Sequence, residues 1–228
     1  MNKARNDISF LLHSPIAHRG LHNAAKNIPE NSFAAFQYAL IKKVPVEFDI
    51  RLLKDGQIVV YHDATLPDGR PIADCTRADL PKLADHSQIP LLTEILKRVS
   101  GKIPLLIEFK PDRRKLALER AALPLLTQYD GPFAIQSFDP RTLRFFKKFA
   151  PQIPRGQLIN PKPLKNSASL REYLAHHHPE RSHPDFISAP LSAIPATSLP
   201  VLAWTVRDAE AATAAKSHCA NMICENIF

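Results

Sequence analysis

Short apolar runs alternate with helix-like segments along the whole 228-residue chain. That alternation predicts an α/β protein with a parallel sheet and helices outside it, closed as a (β/α)₈ barrel. Two further observations favour a barrel over an open, doubly wound sheet. No glycine-rich phosphate loop follows the first apolar run, and the chain has only six glycines. Chemistry-bearing side chains also recur where apolar runs end, which is where a parallel barrel carries its site. The length suits one domain, residues 1–228, though it is compact for such a barrel. The turn-rich stretch 64–91, with Pro67, Asp68, Gly69 and Pro71, reads as a short insertion after the second strand.

The elements follow in order. Pro15-Ile16-Ala17 is a short first strand. Residues 31–43 read as a helix, with Phe33, Phe36, Leu40 and Ile41 at helical spacing and Asn31 or Ser32 as its cap. Residues 46–53 and 58–61 read as strands joined by an Asp55-Gly56 turn. The second of these either closes a hairpin-like insert or counts separately. Residues 93–99 read as a helix and 103–109 as a strand. The segment 113–129 is helical, with a kink at Pro124. A strand at 133–138, a helix at 141–149, a strand at 156–159 and a helix at 170–176 continue the alternation. Strands at 185–189, 201–206 and 221–227 complete it, with an alanine-rich helix at 209–216 before the last. No helix follows the final strand, so its place is either empty or taken by the N-terminal segment.

Composition narrows the class. Hydrophobic residues are 45% and charged residues 23% of the chain, as in ordinary globular proteins. No apolar run is long enough to cross a bilayer or to serve as a signal-peptide core, which points to a cytoplasmic protein. Three cysteines, Cys75, Cys219 and Cys224, make no disulfide framework, and Cys219 and Cys224, near an apolar C-terminal strand, read as buried free thiols. The net charge of +8 favours anionic partners. The basic residues are dispersed, with no aromatic-interleaved stripe, so nucleic acid is not the expected partner. A phosphorylated small molecule is, with a weak membrane-surface contact as a secondary expectation. His176-His177-His178 with His183 lacks ligands at metal-site spacing and reads as a solvated loop.

The strand ends carry the chemistry. His18-Arg19-Gly20 closes the first strand. Glu47 and Asp49, two apart on the second, share a face. His62-Asp63 ends the next segment; Glu108 and Lys110 share a face at the end of the following strand; Gln136 and Ser137 end another. Trp204 and Glu225 sit on the last two. Three converging carboxylates repel one another unless a cation lies between them, and an all-oxygen set suits Mg²⁺ or Ca²⁺. Two histidines from different strands suit a general base and a general acid across a phosphate. Arg19 offers a planar fork for phosphate oxygens.

Ala17-His18-Arg19-Gly20, then Pro29-Glu30-Asn31-Ser32 leading into Ala35-Phe36, resembles the opening of the glycerophosphodiester phosphodiesterases. Glu47-Phe48-Asp49-Ile50, Lys54-Asp55-Gly56, Val59-Val60 and His62-Asp63 continue that pattern in order. Ile107-Glu108-Phe109-Lys110, Gln136-Ser137-Phe138 and Ala203-Trp204-Thr205-Val206 are similar to its later strand ends. The resemblance spans nearly the whole chain. It implies a TIM barrel with a small insertion and a divalent metal, Ca²⁺ or Mg²⁺, on Glu47, Asp49 and Glu108. It also implies His18 and His62 as the acid–base pair, Arg19 and Lys110 as phosphate ligands, Glu30 in support, and Trp204 lining the alcohol pocket. The chain departs from the pattern at Lys43-Val44-Pro45, at Thr65-Leu66-Pro67-Asp68-Gly69 and at Glu225-Asn226-Ile227. None of these departures removes a carboxylate or histidine of the set.

The expected activity is metal-dependent hydrolysis of a glycerophosphodiester to glycerol 3-phosphate and an alcohol. Phospholipase D-like cleavage of lysophospholipid or sphingolipid on the same barrel is the alternative. A non-catalytic phosphodiester-binding barrel is the third reading.

Overall fold

A computed structural model of the chain describes residues 6–160 and 179–228. Among them, nine strands form one sheet: β1 (Ile16–Ala17), β2 (Val46–Leu52), β3 (Ile58–Val60), β4 (Leu105–Phe109), β5 (Phe133–Ser137), β6 (Arg155–Leu158), β7 (Phe186–Ala189), β8 (Val201–Val206) and β9 (Asn221–Cys224). All but β3 run parallel and close into a barrel. β1 joins the two ends, with Ile16 opposite Ile223 of β9 and Ala17 opposite Val46 of β2. β3 stands outside the closure, antiparallel to β2 with Ile50 opposite Val60, as the arm of a hairpin turned at Asp55-Gly56. The eight-stranded TIM barrel expected from the alternation is the architecture found.

Parallel pairing sets partners on one face of the sheet. Ile16, Leu106, Ala134, Phe186, Leu202 and Ile223 therefore form an apolar layer inside the barrel. Two residues further along their strands, His18, Glu108, Gln136, Ser188 and Trp204 form the layer above it, with Glu47 and Asp49 of β2. The segment before β1 covers the lower mouth. Ile8 and the fully buried Leu11 pack on the apolar layer, and Asn221 donates its side-chain amide to the carbonyls of Leu11 and Ser14. That segment plugs the barrel from below rather than standing in for a helix on its outside.

The opposite strand faces carry Val46, Phe48, Ile50, Leu105, Ile107, Phe109 and Ile135, and the helices cover them. These are α1 (Phe33–Lys42), α2 (Leu92–Val99), α3 (Ala117–Thr127) and α4 (Pro140–Phe149), while α5 (Ala209–His218) packs on Ala203, Val206 and Met222 of β8 and β9. Ser32, not Asn31, caps α1 by accepting from the Ala35 amide at 3.1 Å. Phe36 of α1 meets Phe48 of β2 edge-on at 5.1 Å. Ile41 is 66% exposed; it lies one position past the buried stripe and points to solvent. α3 begins four residues later than its sequence pattern suggests. Arg114 there turns back to donate to the carbonyls of Leu52 and Leu53, and Leu116 takes φ +57°, so 113–116 brackets the barrel rim instead of coiling. Pro124 sits inside α3, as expected. β9 ends at Cys224 because Asn226 turns the chain at φ +59°, leaving Glu225 on the rim.

Residues 64–91 make short 3₁₀ turns at Ile72–Asp74 and Arg77–Asp79 over a small core of their own. Leu66, Ile72, Cys75 and Ile89 pack there on Leu53 and Val59. All three cysteines are free: Cys75 and Cys224 are buried, whereas Cys219 is only half-buried. Burial pushes the Cys224 thiol up to about 12. The helix expected at 170–176 and the run His176-His177-His178 lie outside the described residues. No described helix is long and apolar enough to cross a membrane.

Candidate active site

At the carboxyl ends of the strands the upper layer opens into a cavity of about 310 Å³. His18, Arg19, Glu47, His62, Glu108, Lys110 and Trp204 line it, so seven of the nine residues expected from the sequence come together on one surface. Asp49 lies just behind that lining, with its side chain 1% exposed. Glu30 stands at the rim and grips Arg19 Nη1 with both carboxylate oxygens, at 2.8 and 2.9 Å.

Backbone turns at the ends of β1 and before α1 aim these groups. Arg19 takes φ +53° and Gly20 φ +83°, swinging the chain sharply after His18. Glycine is required at position 20 on two counts: the positive φ, and the Ala35 Cβ that would lie 2.7 Å from an added Cβ. The turn delivers the Arg19 amide to Glu47 Oε2 at 3.1 Å and the Gly20 amide to the Glu47 carbonyl at 3.1 Å. Asn31, at φ +53°, bonds its amide to the Arg19 carbonyl and its side chain to Asp49 Oδ2 at 3.0 Å.

Glu47, Asp49 and Glu108 are all buried, and each offers an oxygen within 4.8 Å of the others. Lys110 Nζ bridges two of them, 2.9 Å from Asp49 Oδ1 and 2.5 Å from Glu108 Oε1. Burial, then the neighbouring Asp49 carboxylate, pushes Glu47 up to about 8 despite the nearby His18. Burial likewise lifts Glu108, against the pull of Lys110. Asp49 goes the other way: burial opposes its charge, but Lys110, His62 and Arg19 together hold it below its ordinary value. Lys110, together with Arg19, whose Nε lies 3.5 Å from Asp49 Oδ2, sets two permanent positive charges against three buried carboxyl groups. Three oxygen donors so placed could hold a divalent cation.

The two histidines are held differently. His18 Nδ1 is 2.5 Å from Glu225 Oε1, and its Nε2 is 3.9 Å from Glu47 Oε2. Burial disfavours its charged form, yet the Glu225 bond and the Glu47 charge prevail and raise its pKa. Glu225 is drawn down to about 2, first by His18 and then by Arg207, whose Nε lies 2.9 Å from Oε2. His62 pairs through Nδ1 with the exposed Asp63 at 2.7 Å. Its carbonyl is clamped by Arg51 Nε and Nη2 at 2.8 and 2.6 Å.

The remaining walls were only partly foreseen. Phe138 meets Trp204 edge-on at 5.8 Å and lines the cavity with it. Gln136 donates to Glu47 Oε1 at 3.4 Å and accepts from Ser188 Oγ at 2.8 Å, forming a buried chain beneath the carboxylates. Gln136 and Glu225 are visible in the sequence as polar residues at strand ends, but their partners are not. Arg51, Ser188 and Arg207 carried no sequence signal of a site role beyond strand parity for Arg51 and Ser188, and Asn31 stood in the Pro29-Glu30-Asn31-Ser32 run with no role assigned to it.

Comparison with known proteins gives the family and the fold. A family model described as the glycerophosphoryl diester phosphodiesterase family matches residues 18–226. YhdW of Bacillus subtilis (strain 168), whose name assigns it provisionally to the glycerophosphodiester phosphodiesterases, is 32% identical over 224 residues, 88% of each chain. An Oleispira antarctica phosphodiesterase solved in complex with the product sn-glycerol-3-phosphate superposes with a TM-score of 0.75 at 25% identity, covering 93% of both chains. A Parabacteroides distasonis glycerophosphodiester phosphodiesterase shares the fold at a TM-score of 0.77 and 19% identity, covering 93% of this chain and 92% of its own. The chain belongs to the glycerophosphoryl diester phosphodiesterase family and is a phosphoric diester hydrolase.

Proposed function

We propose that this protein hydrolyses glycerophosphodiesters to glycerol 3-phosphate and an alcohol, using a divalent metal, Ca²⁺ or Mg²⁺, and histidine acid–base catalysis. The observation that supports this most is that His18, His62 and Lys110 line one cavity with two of the three buried carboxylates. Its volume of about 310 Å³ sits at the small end of ligand pockets, as suits a compact polar substrate.

Glu47, Asp49 and Glu108 would hold the metal. When bound, the ion supplies a Lewis acid that neutralises charge on the phosphoryl oxygens. Arg19 and Lys110 give cationic donors to the same oxygens. Glu30 braces Arg19 from the rim. One histidine takes the proton of the attacking oxygen, either water or a neighbouring glycerol hydroxyl that first closes a cyclic phosphate. The other gives a proton to the departing alkoxide. Trp204, with Phe138 against it, provides an apolar wall for the carbon skeleton of the alcohol.

Release of glycerol 3-phosphate from glycerophosphocholine and glycerophosphoethanolamine tests this reading, with EDTA present and then with Ca²⁺, Mg²⁺ or Mn²⁺ restored. Product that vanishes with EDTA, returns with metal and is lost in His18→Ala is the expected result. A folded protein that forms no product with any of the metals overturns it.

A further inference from the structure

His18 can work at a phosphate only if one ring nitrogen faces the cavity in a fixed protonation state, and its own strand does not provide that. The group that does comes from the far end of the chain. Glu225 Oε1 lies 2.5 Å from His18 Nδ1. An ionised carboxylate only accepts, so Nδ1 carries the hydrogen and Nε2 is left as the free nitrogen of the neutral ring. Nε2 is the nitrogen nearer Glu47, on the cavity side. Glu225 itself does not line the cavity; it stands behind the imidazole.

The arrangement is braced at every joint. The His18 amide donates to the Cys224 carbonyl at 3.0 Å, so the residue before Glu225 already fixes the His18 backbone across the β9–β1 seam. The Glu225 amide donates to the Val206 carbonyl at 2.9 Å. Arg207, the next residue, binds the second carboxylate oxygen through Nε at 2.9 Å. The pairing of β8 with β9 slips register between Ala203 and Val206, and that slip sets Arg207 and Glu225 side by side on the rim. The Glu225 side chain is 16% exposed, which limits competition from water for either contact.

We infer that Glu225 is a positioning residue for His18, held in place by Arg207, and that it fixes the imidazole with Nδ1 protonated and Nε2 turned to the substrate. This rests on the proposed catalytic role of His18, and it adds a function for a residue outside the metal cluster.

The test uses metal-free and metal-loaded full-length protein with Glu225→Ala, Glu225→Gln and Glu225→Asp, with His18→Ala as reference. In ¹⁵N-histidine-labelled protein without metal, at a pH where the ring is neutral, native His18 should show a protonated Nδ1. Its signals are identified by their loss in His18→Ala. Glu225→Ala should shift that proton toward Nε2 and lower kcat roughly tenfold to a hundredfold with KM little changed, as loss of a histidine-orienting partner does. Glu225→Gln keeps an acceptor oxygen and should retain the tautomer with a smaller loss. Glu225→Asp, one methylene short, should fall between them. A folded Glu225→Ala protein with an unmoved tautomer and full kcat overturns the inference. Full activity in His18→Ala would instead overturn the catalytic reading beneath it.

Discussion

Gly156 on β6 faces the ring of Phe186 on β7 inside the barrel, so closely that a Cβ at position 156 would stand 2.1 Å from Phe186 Cε2. Phe186 is fully buried and belongs to the apolar layer that Leu11 seals from below. The glycine is therefore the space that one large aromatic side chain occupies, and barrel interiors mix large and small residues in this way. Gly156→Ala should force Phe186 off its position and cost about 1–3 kcal/mol, the usual range for overpacking. The urea midpoint should fall with the m-value unchanged; an unchanged midpoint would mean the layer can yield at no cost.

How much of this was readable beforehand follows from periodicity. The strand count was legible because most strands are short apolar or alternating runs and β3 follows an Asp-Gly turn. Glu47 and Asp49, two apart, announced a shared face, and the β2–β4 register places Asp49 beside Glu108 as that face requires. Contacts between the chain's ends were not legible. Nothing local ties Glu225 to His18, 207 residues away, because closure of the β9–β1 seam brings them together. The late start of α3 was hidden for a similar reason: Arg114 is a good helix former, but two barrel-rim carbonyls claim its guanidinium.

Glu119 offers a pH test away from the site. It is buried between α3 and α4, where Thr142 Oγ1 donates to it at 2.5 Å. Burial raises its pKa above the ordinary 4.5, with the Thr142 bond only partly opposing. The folded state therefore holds a proton that the unfolded state has released, and stability falls as pH rises from 4.5 through the folded value. Glu119→Gln carries no charge to bury. It should melt higher than the native protein at pH 7, and the difference should close as pH drops below about 4.5. A difference independent of pH would point to packing rather than ionisation.

The carboxylate cluster predicts a metal-linked gain in stability. A ligand that binds only the folded state stabilises it by about 2.7 kcal/mol at one hundred times its Kd. Titrating Ca²⁺ or Mg²⁺ into EDTA-treated protein should raise the melting temperature progressively. Glu47→Gln and Glu108→Gln should weaken or abolish that rise while the metal-free variants stay folded, since each removes a charge that burial already opposes. A rise equal to native in both variants would place the ion elsewhere.

Asn31 carries two duties at once: it takes φ +53° and it donates to the buried Asp49. Glycine preserves the first and removes the second, whereas alanine loses both. Asn31→Ala should therefore be the less stable of the two by about 1 kcal/mol, the usual scale of a backbone conformation glycine accepts and alanine resists. Equal unfolding free energies would show that the turn relaxes without strain.

The two histidines should respond alike to removal and differently to loss of their partners. His18→Ala and His62→Ala should each lower kcat by roughly 10²–10⁴, the usual worth of positioned acid–base catalysis. Their carboxylate partners are not equivalent: the Glu225 side chain is 16% exposed, while that of Asp63 is 67% exposed. Water screens the exposed pair and can replace the bond it loses. His62 also keeps its backbone anchor, because Arg51 grips its carbonyl rather than its ring. Asp63→Ala should therefore reduce kcat less than Glu225→Ala does. Steady-state kinetics on the two variants decide this, and a larger loss from Asp63→Ala would mean that the ring of His62, not that of His18, depends more on its partner for alignment.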